Sequence, residues 1–321
     1  MIRTKVYQMF ISGTGKNLDS MIKSGLGGVI FFTHDILSKE QFINLINTIT
    51  KTYNNNIYPF LSIDQEGGRV ERTENIHKRG LSPMFAFKKG DKFLKTQTQN
   101  IADELKTYGL NMNFAPCLDV NSNPNNPIIG ERAFSNNPDE VCRGFDIVSK
   151  IYSNNGIIPV IKHFPGHGDA DKDSHKELPK IDLDKNTMEN IHLSPFKHAI
   201  TQGADAVMVA HLHSTYFDKE EIPTSLSKNC INYLINTLNF NGVVISDDMY
   251  MKGLSKYSMT DGCVMGINAG INLFIYREAS DETLEVIENV VKLAENDTDI
   301  RIKIENSYDK ILKLKSKYNL I

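Results

Sequence analysis

The run Gly28-Val29-Ile30-Phe31-Phe32 decides the fold class. Its five residues carry no charge, hydroxyl or amide, so a strand made of them has no face suited to water. Such a strand is covered on both sides, as in a parallel sheet flanked by helices. Working outward, this strand is predicted over residues 29–33, and seven more short apolar or β-branched runs share its character: residues 6–11, 59–63, 111–115, 157–161, 206–210, 242–246 and 272–276. Stretches of helical period lie between them. In residues 38–53 the positions Phe42, Leu45, Ile46, Ile49 and Tyr53 fall on one face. Ser38 with Gln41 three residues on reads as a capping box. Leu94, Ile101, Ala102, Leu105 and Tyr108 form a second stripe, and Asn137-Pro138-Asp139-Glu140 is a helix start. Further helices are expected over residues 186–202, 227–238, 261–269 and 280–293, and Ile304, Tyr308, Ile311 and Leu312 mark a last one. The link between the first two strands is short enough that any helix there is brief.

Eight strands alternating with helices predict an α/β fold, a (β/α)₈ TIM barrel. It is expected as a single domain over residues 1–321, with a long loop after strand five. Such barrels run to about 250 residues, and insertions readily extend them. An open doubly wound sheet would need a phosphate-cradling glycine loop after an early strand. Gly13-Thr14-Gly15 follows the first predicted strand but lacks the third glycine.

The charge balance of 36 Lys+Arg against 39 Asp+Glu gives a formal net charge of −3, which argues against a nucleic-acid partner with its basic footprint. No apolar run approaches the roughly 18 residues of a membrane span. The N-terminal residues lack a secretory core and cleavage site, so a cytoplasmic protein is expected. Cys117, Cys142, Cys230 and Cys263 are far apart and form no C-x-x-C pair, so neither a structural zinc nor a disulfide framework is indicated. No cofactor and no metal is expected, and a monomer is the simplest state.

In a barrel, the chemistry collects at the C-terminal ends of the strands. Strand three ends in Asp64-Gln65-Glu66-Gly67-Gly68-Arg69. Strand four leads to Asp119 and then to Glu131-Arg132. Strand five ends in Lys162-His163, strand six in His211 and His213, and strand seven in Asp247-Asp248. Ionisable groups from five strand ends thus converge on one mouth. Residues 164–181 form an unusually long connection with glycines, mixed charge and no apolar period. Long polar loops in compact domains are commonly lids or binding loops. Within it, Asp173-Ser174-His175 sets a carboxylate beside an imidazole, able to orient the ring and hold its proton for general acid catalysis.

Four motifs carry a resemblance. They are Asp64-Gln65-Glu66-Gly67-Gly68-Arg69-Val70 with Arg72; Gly130-Glu131-Arg132-Ala133-Phe134; Lys162-His163-Phe164-Pro165-Gly166-His167-Gly168 followed by Asp173-Ser174-His175; and Ser246-Asp247-Asp248-Met249. In this order they resemble glycoside hydrolase family three, and within it the cytosolic bacterial β-N-acetylglucosaminidases (β-N-acetylhexosaminidases) of peptidoglycan recycling. The resemblance implies that Asp247 is the catalytic nucleophile and His175 the acid/base, with Asp173 as its partner. It implies that Asp64, Arg72, Arg132, Lys162 and His163 hold the N-acetylglucosamine ring. The implied reaction is hydrolysis of terminal N-acetylglucosamine from muropeptides of the GlcNAc-anhydroMurNAc-peptide type, with retention through a covalent glycosyl-enzyme. One position departs: the residue three after the nucleophile is usually small, and here it is Tyr250.

Other readings stand beside this one. The same site could serve a phosphorylase, because a histidine acid/base does not repel phosphate as a carboxylate would, or a related β-glycosidase. A carbohydrate sensor without catalysis is a third. His163, His167, His211 and His213 could be imagined as a metal site, although hydrolysis needs none. His211 is expected as a pocket wall or as a residue standing just behind one. Glu66 is expected to brace its loop or Arg69, Gly67-Gly68 to serve a turn, and Asp247 and Asp248, as strand neighbours, to face opposite sides.

Overall fold

A computed structural model describes residues 1–53, 57–170 and 177–321. Among these, eight parallel strands close into a barrel in chain order: β1 Phe10–Ser12, β2 Gly28–Phe31, β3 Phe60–Ile63, β4 Met112–Asn113, β5 Ile158–Phe164, β6 Ala206–Val209, β7 Val243–Asp248 and β8 Leu273–Tyr276. Every strand pairs with its neighbours in sequence, and the ring closes where Phe10, Ile11 and Ser12 of β1 register with Phe274, Ile275 and Tyr276 of β8. All four residues of β2 are buried, as their unbroken apolar run requires.

The helices start where their caps sit. Ser38 Oγ accepts from the Gln41 N–H at the start of Lys39–Thr52. Gln41 Oε1 accepts from the N–H of Leu37, one residue before the position of a full capping box. Asn137 caps Pro138–Asn154, Ser258 caps Met259–Ala269, Ser280 caps Asp281–Asn296 and Asp297 caps Thr298–Lys317. The expected stripe around Leu94 lies on Asp91–Thr107, and the brief first connection holds Leu18–Lys23. The helices expected over 186–202 and 227–238 are broken by wide turns at Met188–His192 and Tyr233–Thr237.

The first strand is displaced from its expected place. Residues 2–8 form the helix Ile2–Gln8, and the strand begins only at Phe10. The continuous apolar run over 6–11 has no period that separates helix from strand. The helix packs its Val6 and Tyr7 against Asp281–Asn296 and Thr298–Lys317, and that tertiary burial selects it. Arg3 pairs with Glu288, and Lys5 lies 2.8 Å from Glu305. Lys315, fully buried, donates to Gln8 Oε1 at 2.8 Å and Gly27 O at 2.9 Å, and its ammonium lies over the Phe60 ring. The last helix is thereby fastened beneath the N-terminal ends of β2 and β3.

Strand five is longer than expected. It runs through Phe164, so Lys162 and His163 stand on the strand and not in the loop beyond it. The same holds for Asp247 and Asp248 at the end of β7. Side chains on strands packed into a barrel have little freedom, which suits groups that must be held in place.

Candidate active site

A pocket of ≈ 210 Å³ opens at the C-terminal ends of the strands. This is smaller than the usual small-molecule site of about 300–1,000 Å³, so it suits one compact unit such as a single sugar ring. Its lining includes Asp64, Arg72, Arg132, Lys162, His163, Asp247 and Asp248, with Phe32, Phe114, Met208 and Met251 as apolar walls. Among the described residues the pocket therefore gathers Asp247 and all five residues expected to hold a ring. Asp173 and His175 lie outside the described residues.

One side of the site is built on Glu66. Its Oε2 accepts from Arg132 Nε at 2.9 Å, and its Oε1 accepts from Arg132 Nη2 at 2.8 Å and lies 2.7 Å from Lys162 Nζ. Lys162 also donates to Asp64 Oδ1 at 2.7 Å, and Arg72 Nη2 lies 3.6 Å from Asp64 Oδ2. Burial alone would push the Asp64 and Glu66 carboxyls up. Lys162 and Arg72 around Asp64, and Arg132 and Lys162 around Glu66, more than offset it and hold both well into their ionised form. The same partners hold Lys162 protonated against its burial. Glu66 thus grips two cations of the site and not Arg69. Arg69 instead donates to the carbonyls of Pro127, Ile128 and Ile129, tying the strand-three loop to the strand-four loop.

The turn between the two ends of that loop needs its glycines. Gly67 and Gly68 have φ of +98° and +62°, and a Cβ there would meet Leu81 O at 2.5 Å and Ser82 Cβ at 2.6 Å.

Asp119, fully buried, is an organising residue that sequence reasoning placed on the strand-four loop without giving it a role. Its Oδ2 accepts from His163 Nδ1 at 2.6 Å, from the His163 N–H at 3.3 Å and from Cys117 Sγ at 3.1 Å. Its Oδ1 accepts from the His167 N–H at 2.5 Å. With Nδ1–H committed to Asp119, His163 Nε2 is the acceptor facing Arg132 Nη2 at 3.2 Å. The ring is thus fixed in both tautomer and orientation. The signal for Asp119 was an acid placed directly after an apolar run, at Leu118-Asp119. Burial pushes the His167 imidazole down to about 4, so this ring is neutral near pH 7.

Among the described residues, the one group whose ligand atoms come together as a metal site would need is Cys117, Asp119 and His163, not the four histidines considered from sequence. Its Asp119 oxygens already accept the hydrogen bonds just described. His211, buried, has its Nδ1 2.6 Å from Ser225 Oγ, and His213 pairs along Lys180–Ile181.

Asp247 and Asp248 both line the pocket. They stand at a bulge. Ile245 registers with Leu273 and Asp248 with Ile275, so three steps along β7 match two along β8. Asp248 N–H donates to Asp247 Oδ1 at 2.8 Å. Among the described residues, Asp247 makes no ion pair with Lys or Arg. Burial would raise its carboxyl, but the His211 ring, the Asp248 N–H and Lys162 hold it below the usual range. Burial pushes Asp248 up to about 6, although Asp248 Oδ1 accepts from the Tyr250 and Arg277 N–H groups and its Oδ2 lies 3.3 Å from Arg277 Nε.

Tyr250, the departure noted in the sequence, turns out of the pocket. Its hydroxyl lies 2.5 Å from Ser280 Oγ and 3.0 Å from Thr283 Oγ1, at the start of Asp281–Asn296. Its ring carries the Arg277 guanidinium at 5.4 Å, and its carbonyl accepts from Arg277 Nη2 at 3.0 Å. The bulky side chain therefore does not fill the pocket. It seats an arginine that lines it.

The base of the long loop after β5 is pinned to the strand-four loop. Asn126 Nδ2 donates to His167 O at 2.8 Å, and Ser122 Oγ donates to Asp169 Oδ1 at 3.2 Å.

A closed parallel barrel with a carboxylate-lined, cation-braced pocket at its C-terminal mouth suits cleavage of a small polar glycone. Sequence comparison agrees: residues 1–314 match the glycosyl hydrolase family 3 N terminal domain, and the chain belongs to that family. It is 32% identical over 269 residues to a beta-hexosaminidase A of Pseudoalteromonas piscicida, covering 77% of this chain and 45% of that protein. It is 32% identical over 277 residues to a beta-hexosaminidase of Shewanella frigidimarina, covering 78% of this chain and 79% of the relative. A solved family 3 beta-N-acetylglucosaminidase from Paenibacillus sp. superposes with a TM-score of 0.93 at 29% identity, over 100% of this chain and 63% of that one. The chain thus spans less than half of the first relative and about two thirds of the solved one.

Proposed function

We propose that the chain is a retaining exo-β-N-acetylglucosaminidase that removes terminal N-acetylglucosamine from peptidoglycan-derived muropeptides. It works as one (β/α)₈ catalytic barrel over residues 1–321, acting as a monomer in the cytoplasm. The observation that carries the reading is Asp247. It is a pocket carboxylate at the end of a barrel strand, held ionised and left without a Lys or Arg partner among the described residues. An ionised carboxylate not committed to a cation is what nucleophilic attack requires. Each of the other carboxylates described around the pocket is engaged by a cationic side chain or spent on hydrogen bonds.

In this mechanism an Asp247 oxygen attacks the anomeric carbon, and the bond from that carbon to the leaving oxygen breaks. His175, oriented by Asp173, gives its proton to the departing oxygen. A water then passes a proton to His175 and attacks the same carbon, releasing Asp247 and the sugar with net retention. Asp64, Arg72, Arg132, Lys162 and His163 hold the ring. Asp64 accepts from sugar hydroxyls, and the cations donate to sugar oxygens.

Trapping with a 5-fluoro-N-acetylglucosaminyl fluoride, followed by peptide mass mapping, tests it. The expected adduct is on the peptide containing Asp247. Inactivation with the label elsewhere, or turnover with inversion, would sink the reading.

A further inference from the structure

Beside the mouth, the chain exposes a patch that hydrolysis does not use. Of sixteen phenylalanines, the exposed ones among the described residues are Phe85 at 50% and Phe93 at 39%, with Leu81 at 37% beside them. Phe85 lies on Pro83–Lys88, and Phe93 lies on the first turn of Asp91–Thr107. Gln97, one helical turn after Phe93, exchanges hydrogen bonds with the Leu81 backbone at 2.9 and 2.8 Å, so these apolar groups form one surface.

Four exposed lysines, Lys88, Lys89, Lys92 and Lys95, are interleaved with them, and the Lys88 ammonium lies over the Phe85 ring. The one acid of residues 80–96, Asp91, lies 3.4 Å from Arg143 and offers little offset. A chain with a net charge of −3 thus concentrates positive charge around its exposed phenylalanines.

The patch is joined to the catalytic face. Helices of this fold begin at the C-terminal ends of the strands. The loop carrying Asp64 to Arg72 rests directly on it: Gly68 N–H donates to Gly80 O at 3.2 Å, and Gly80 N–H donates to Glu71 Oε2 at 2.8 Å.

We infer that this surface, Leu81, Phe85 and Phe93 ringed by Lys88, Lys89 and Lys92, docks the protein on an anionic lipid bilayer with the pocket mouth at its edge. Aromatic side chains sink into the boundary between headgroups and acyl chains, and lysines meet the negative headgroups. A second copy is a poor occupant, because a two-fold interface here would set the lysines against one another. A soluble polyanion would satisfy the lysines and leave the phenylalanines in water.

The test is co-sedimentation of the full chain with vesicles of phosphatidylcholine alone or mixed with phosphatidylglycerol. Binding is expected only to the mixed vesicles. Both Phe85→Ser/Phe93→Ser and Lys88→Glu/Lys92→Glu should weaken it, the latter by roughly tenfold or more. Hydrolysis of a soluble aryl substrate should be unchanged, which shows that the variants fold. Equal partitioning onto both vesicles, no binding, or full binding by the phenylalanine variant would overturn the proposal. So would a dimer in sedimentation velocity that the same substitutions dissolve.

Discussion

The N–H of Asp248 donates to Asp247 Oδ1 at 2.8 Å, and the two neighbouring carboxyls are shifted in opposite directions. Asp247 is held down, chiefly by the His211 ring, which offsets its burial, while Asp248 is pushed up to about 6 by burial. Asp247→Ala should lower kcat by several orders of magnitude, with the fold intact by circular dichroism. Asp248→Asn should retain turnover. Asp248 loses its charge as pH falls through about 6, and its ion pair with Arg277 goes with it. KM in the native protein should therefore change near that pH, whereas the Asp248→Asn profile should be flat there. An unchanged inflection in the variant would remove Asp248 as its source.

Asp119 acts through His163, so its effect should be visible on that ring. Asp119→Asn replaces a charged acceptor that fixes the imidazole through Nδ1. A buried hydrogen bond to a charged group contributes about 1.5–3 kcal/mol, so a loss of roughly ten- to a hundredfold in kcat/KM is expected. Nitrogen NMR of the labelled ring should show the tautomer population redistributed. Reduced activity with the tautomer unchanged would make Asp119 a merely structural residue.

Tyr250 and Arg277 should separate in kinetics. Tyr250→Phe loses only the hydroxyl contacts to Ser280 and Thr283, costing about 1 kcal/mol of stability and leaving KM alone. Tyr250→Ala removes the platform under Arg277 and should raise KM, as should Arg277→Ala. Steady-state kinetics with thermal unfolding of all three variants checks this, and a normal KM for Tyr250→Ala would refute the platform role.

On the helix Asp91–Thr107, burial raises Glu104 to about 7, and His77 Nδ1 lies 3.5 Å from its Oε2. A carboxyl whose pKa is raised on folding favours the native state while neutral. That advantage is complete below its ordinary value of about 4.5 and is lost as pH rises through about 7. Glu104→Gln should therefore stabilise the protein by about 1–3 kcal/mol at alkaline pH and by little at acid pH. Urea unfolding on both sides of the window measures it, and equal effects at both would refute the assignment.

How much could be read in advance depended on whether the deciding interaction was local. The run at Gly28 and the caps at Ser38 and Asn137 could be read directly, because burial on both faces and capping are set by neighbours in sequence. The helix at Ile2–Gln8 could not, since only packing against the last two helices distinguishes it from a strand. The bulge that carries Asp247 and Asp248 is a property of pairing between β7 and β8, which neither strand records alone. Glu66 was expected to brace its loop or Arg69, whereas its partners are Lys162 on β5 and Arg132 in the short turn Gly130–Arg132, both distant in sequence. The five ring-holding candidates share one pocket, and the dyad Asp173 and His175 lies outside the described residues.

Glu66, reaching Arg132 with both oxygens and Lys162 with one, has a consequence for how this mouth can change over generations. Losing the acid strands Arg132 and leaves Lys162 to Asp64 alone, and losing either positive group leaves the buried acid with one partner. A single change at any of the three leaves a buried charge with fewer partners, which favours change at the three positions together. Diversification of the site is thereby steered to its rim, where Tyr250 and Arg277 already stand.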